Sequence, residues 1–156
     1  MSDEFKNIWT LKVTGLDRFL QPGDSIAQTF ELLSFSHGIQ EEPPTAGQPR
    51  RVSLYEFSAV RYCDPASPYF MRLCQTGDQL PLVVASMRSE KDGKIAFLMR
   101  FELQNARVTG VRPGGSSGGG MDSRPVEEVC FRCEKMKVYV EQAEQRGSAT
   151  LNPPRP

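Results

Sequence analysis

Residues 95–103, IAFLMRFEL, alternate without a break: Ile95, Phe97, Met99, Phe101 and Leu103 on one side, Ala96, Leu98, Arg100 and Glu102 on the other. A helix would scatter such a period-two pattern around its circumference, so the segment can bury its apolar set only as a strand. WTLKV repeats the pattern with Trp9, Leu11 and Val13 facing one way. TFELLSFSHGI, VSLYEFSAVRY and LPLVVASMRS also read as strands, the first apolar on both faces. EKDGK is a turn leading into the strand at Ile95, which continues through NARVTGV. A last strand starts near Val126, and its apolar parity moves from Val129 and Phe131 to Met136, Val138 and Val140, which predicts a β-bulge near Glu134.

Between these strands, CDPASPYFMRLCQTG predicts one short helix, with Asp64 as its cap, Pro65 at its first position and Gly77 at its stop. Residues 40–51, QEEPPTAGQPRR, contain three prolines and no large apolar side chain, so they read as an exposed loop. The stretch 113–125 contains GGSSGGG and reads as a second, flexible one. About seven strands and one helix in 156 residues fit a mainly β chain: a small two-sheet β-barrel with one short flanking α-helix. The barrel domain is expected over residues 1–142, followed by a polar, flexible tail at 143–156.

Lys+Arg and Asp+Glu both number 19, so no net field draws nucleic acid or anionic lipid, and neither partner is expected. No stretch reaches the ~20 apolar residues that span a bilayer. MSDEFKNIW lacks the basic and apolar runs of a secretory signal. Synthesis in a cytoplasm is therefore expected, and any export would proceed without such a signal.

Reactive constellations are sparse. Cys130 and Cys133 have the C-x2-C spacing of a metal or redox motif, with Cys63 and Cys74 as possible partners, but residues three apart on a strand point to opposite faces. Packing in the core or an interface is the competing reading. His37 is the single histidine and has no neighbouring nucleophile motif, which leaves it a structural or lumen-facing role. The GGSSGGG run lacks the Lys-Ser/Thr of a phosphate loop. Glu41/Glu42 and Glu127/Glu128 diverge on extended chain and read as solvated or interface charges. No catalysis, metal or cofactor is expected.

Four pieces in order resemble the Hcp family, the inner-tube protein of bacterial type VI secretion systems, from about Ile8 to Glu141. They are FELLSFSHGI, VSLYEFSAVRYCDPASPYFMRLCQTG, the strand IAFLMRFELQNARVTGV running into GGSSGGG, and DSRPVEEVCFRCEKMKVYV. His37 stands where the family commonly has an aromatic, and the C-terminus lacks the usual tryptophan-bearing tail. The resemblance implies hexameric rings that stack into a tube driven by a contractile sheath, with a spike protein and small effectors as further partners. It places Ser34 and Ser36 on the lumen wall, where a merely solvated strand face is the alternative. It also places the loop at 40–51 against the next ring, with Glu41 and Glu42 at its start and Arg50 and Arg51 at its end.

Strands 26–39 and 52–62 carry more apolar surface than one small core consumes, which points the same way. A tail-tube subunit of another phage-like contractile system fits the same features. A ligand-binding barrel of lipocalin type would instead be monomeric around an apolar cavity.

Overall fold

The computed structural model describes residues 4–117 and 123–152. Its strands are β1 (Lys6–Thr14), β2 (Thr29–Glu31), β3 (Ser34–Ser36), β4 (Ile39–Glu42), β5 (Arg51–Leu54), β6 (Phe57–Tyr62), β7 (Leu80–Lys91), β8 (Lys94–Gly114), β9 (Val126–Gln142) and β10 (Gln145–Leu151). One helix, α1 (Ser67–Thr76), lies between β6 and β7. Among the described residues, eight strands form one antiparallel sheet in the order β2-β1-β7-β8-β9-β6-β3, with β10 added beside β9, and β4 and β5 form a separate pair. The fold is thus the expected mainly β architecture, a strongly curled sheet with a small second one.

Curling follows from chain connectivity. β2 and β3 stand at opposite ends of the sheet order, yet only Leu32 and Leu33 separate them. The expected continuous strand at 26–39 is therefore two short strands around a corner, and the corner draws the two edges together. Likewise 52–62 is two strands, because the chain leaves the β4–β5 hairpin at Tyr55 and enters the large sheet at Phe57. The alternating apolar set fills the inside: Leu11, Val13, Phe57, Leu103 and Phe131 are buried, with Phe70 and Leu73 of α1 closing over them.

Several details depart from expectation. Asp64 does not cap α1; its Oδ1 accepts the Ala66 amide at 2.8 Å in the turn ahead of the helix, whose N-cap is Ala66. Gly77 does stop the helix, at φ 72°, a left-handed conformation that glycine adopts without a Cβ clash. The expected loop at 40–51 begins and ends in paired strand, with Glu41 opposite Val52 and Glu42 opposite Arg51, so only its proline-rich tip lacks strand structure. Residues 145–151 are not a loose tail: they fold back as β10 along Met136–Gln142, through a turn in which Ala143 has φ 54°. Of the flexible run expected at 113–125, residues 118–122 lie outside the described residues, as do 153–156 of the tail.

The bulge expected near Glu134 is also absent there. Register is constant across it, Gln104 facing Lys135 and Ala106 facing Cys133, and the slip lies between Val108 and Gly110 instead. Parity changes because both strands bend together. Asn105 has φ 51°, tolerable for Asn, and its side-chain amide donates to Glu134 Oε2 at 2.9 Å across the strand pair.

Candidate functional site

The site residues named from the sequence fall on two surfaces. Ser34 and Ser36 are exposed on β3, on the face opposite Phe35, whose ring packs among Trp9, Phe57 and Phe101. Ser36 lies opposite Ser58, Ser58 opposite Cys130, and Cys130 opposite Gly110, a row of small side chains running across four strands. Such a row leaves a smooth surface with hydroxyls and little apolar area.

Glu41, Glu42, Arg50 and Arg51 are brought together by the β4–β5 hairpin. Arg50 Nε sits 2.8 Å from Glu41 Oε1, with 70% and 48% of the two side chains exposed, and Ser53 Oγ donates to Glu42 Oε1 at 2.5 Å. The charges therefore do not form separate acidic and basic ends, since the antiparallel fold pairs one across to the other. Arg51 remains without an ion pair among the described residues. Ile39 and Tyr55, both over half exposed, add apolar area at the hairpin base.

Cys130 and Cys133 point to opposite sides of β9, as their spacing requires: Cys133 packs against the core, whereas Cys130 Sγ donates to Glu128 Oε1 at 3.3 Å on the outer face. Burial first, and for Cys130 also the Glu128 carboxylate, pushes both thiols up to about 11. These are poor nucleophiles and poor metal ligands at neutral pH. No group of three or more metal-binding side chains occurs among the described residues.

Glu127 is a correction to the sequence reading. It is fully buried and is neither a solvated nor a surface charge. Its carboxylate meets the guanidinium of Arg61, its direct cross-strand neighbour, and accepts from Ser67 Oγ at 3.0 Å; Arg61 also reaches Asp64 Oδ2 at 2.5 Å. Arg61, itself 1% exposed, lies over the Phe30 and Phe70 rings at 4.4 and 5.2 Å. The alternation in FSAVRY held the only hint, since Arg61 shares parity with the buried Phe57 and Ala59.

His37 stacks on Phe57 and meets Phe101 edge-on, with centroids 6.2 and 6.0 Å away, and burial lowers its pKa. It lines a cleft of about 490 Å³ together with Tyr55, Asn105, Arg107, Cys133 and Glu134.

The family described as "Type VI secretion system effector, Hcp" matches residues 11–139. No curated protein matches the chain. Among solved structures, the chain is similar to Hcp1 from Salmonella typhimurium, with 23% identity, 94% of each chain covered and a TM-score of 0.72. It is also similar to a type VI secretion system effector from Yersinia pestis, with 21% identity over 92% of this chain and 98% of the other and a TM-score of 0.63. The secreted protein Hcp3 from Pseudomonas aeruginosa matches at 14% identity, 94% and 97% coverage and a TM-score of 0.59.

Proposed function

The chain belongs to the Hcp family of type VI secretion proteins, and on that premise we propose that it assembles into hexameric rings that stack into the inner tube and hold effectors during injection. This reading gives the chain a structural role: it is made in the cytoplasm, meets the contractile sheath and the spike protein there, and leaves through the machine it helps to build. Support comes first from the family match across residues 11–139. The placement of large exposed apolar side chains agrees with it. Ile39 and Tyr55 at the hairpin base, Ile95 at the start of β8 and Val126 at the start of β9 are each 37–53% exposed. Spread around the molecule rather than gathered at one mouth, they suit several subunit contacts better than one ligand.

Within that assembly Ser34 and Ser36 face the lumen, and the β4–β5 hairpin meets the adjacent ring. Small hydroxyls give a wettable wall that holds cargo weakly, and the hairpin offers a stiff arm whose prolines reduce the entropy lost on docking. Light scattering after size exclusion, at micromolar concentration and physiological salt, tests the ring directly. Six times the 17.5 kDa chain mass is expected, with six-fold rings by negative-stain microscopy, and a monomeric mass overturns the proposal.

A further inference from the structure

The pairing of β9 leaves a gap. One edge pairs with β8 along its whole length. The other pairs with β6 as far as Phe131 and with β10 only from Met136 onward. Among the described residues, Arg132–Lys135 thus have no strand partner on that edge, and this open backbone borders the 490 Å³ cleft. Glu134, one of these four residues, is the β9 side of the paired bend with Asn105.

The side chains around the gap have unequal needs. Glu134 already accepts from Asn105 Nδ2 at 2.9 Å and Gln79 Nε2 at 3.4 Å, and Arg132 is held by Glu56 at 3.1 Å. The guanidinium of Arg107 has no hydrogen bond or ion pair among the described residues. His37 Nε2 is buried without a partner. The unmatched groups are thus a guanidinium and an imidazole, both able to donate, beside a strand edge and an apolar floor of Leu54, Phe131 and Met136. We propose that this cleft binds the C-terminal end of an extended peptide from a partner protein, its backbone along the open edge of β9 and its free carboxylate on Arg107. Strand addition supplies affinity, a charge-assisted bond reads the chain end, and the apolar floor takes the last side chain. Because its pKa is lowered, His37 is neutral at pH 7 and can donate from Nε2 to a peptide oxygen without adding charge.

The inference does not depend on ring formation, and it is tested on whatever assembly the purified chain forms. The probe is Ala-Val-Leu, dye-labelled at its N-terminus, in a fluorescence anisotropy titration. Saturable binding is expected with the free acid. Affinity should fall about tenfold or more with the C-terminal amide, and by a similar factor for the acid with Arg107→Gln, whose site is exposed and should leave the circular dichroism spectrum unchanged. Arg107→Gln should make no further difference to the amide. Equal binding of acid and amide, or no saturable binding because the cleft rejects the peptide or a neighbouring subunit fills it, overturns the proposal.

Discussion

Leu32 and Leu33 are adjacent in the chain, yet their amides donate to strands near opposite ends of the same sheet, Leu32 to Trp9 O at 3.0 Å and Leu33 to Val60 O at 2.8 Å. This corner ties β1 to β6 through one peptide unit. Leu32 is 2% exposed, so truncating it to Ala should cost about 2–5 kcal/mol. Because the corner joins both edges, the loss should appear as an earlier single urea transition; a separate early transition confined to one edge would contradict it.

The Arg61–Glu127 pair should show strong coupling. Arg61→Met leaves Glu127 buried without its cation and should destabilise the fold by about 3–5 kcal/mol, while Arg61→Met with Glu127→Leu should recover much of that loss. Urea melts of the two single variants and the double variant measure it. Additive losses would show that the two side chains act independently.

Both strand cysteines should resist alkylation. With thiols pushed up to about 11, roughly one molecule in a thousand carries the thiolate of either residue at pH 8. Iodoacetamide labelling of the native protein, followed by mass spectrometry, should accelerate about tenfold per pH unit between pH 8 and 10. Labelling at the rate of an ordinary peptide cysteine at pH 8 would refute the assignment.

In the hairpin, Arg51 is a freer charge than Arg50, which is paired with Glu41. If the hairpin joins rings, Arg51→Glu alone should weaken tubes, and Arg50→Glu with Arg51→Glu should abolish them while single rings persist. The Glu41 pair itself is worth only about 0–1 kcal/mol at such exposure, so folding should be little changed. Electron microscopy of assembled material decides: unchanged tubes, or collapsed rings, remove the hairpin from the stacking contact.

If Ser36 faces the lumen of a ring, replacing it by Trp should narrow that lumen without disturbing rings, because the residue is exposed on β3 and its neighbour Ser58 is small. Co-purification of effectors should fall. Full retention of every cargo would place the serine row on another surface.

Much of the barrel was readable because alternation reports burial directly, as in Ile95–Leu103 and Trp9–Val13. What alternation cannot report is which strand lies next to which. FELLSF therefore read as one strand although it serves two edges, and the corner at Leu32 has no local signature. Residues 40–51 looked like a plain loop because prolines mark the tip, while the flanking pairs need the partner strand to be recognised. β10 escaped because all but its last residue are exposed, leaving no apolar period to detect. Ser34, Ser36 and the hairpin charges could be named from resemblance, but the ion pair of Glu41 with Arg50 depends on how the hairpin folds back, which composition does not encode. Glu127 was misassigned because a lone carboxylate looks solvated until its buried cation is known.

That buried pair also bears on how the chain avoids misfolding. A one-residue slip between β6 and β9 would turn their apolar sets outward and is opposed by the whole core. A two-residue slip is harder to reject, since it keeps every inward side chain inward. Here it would set Arg61 opposite Val129 or Pro125 rather than Glu127, stranding a cation and a carboxylate separately inside the protein, at a cost of several kcal/mol. One ionic contact thus detects the error to which a period of two is blind.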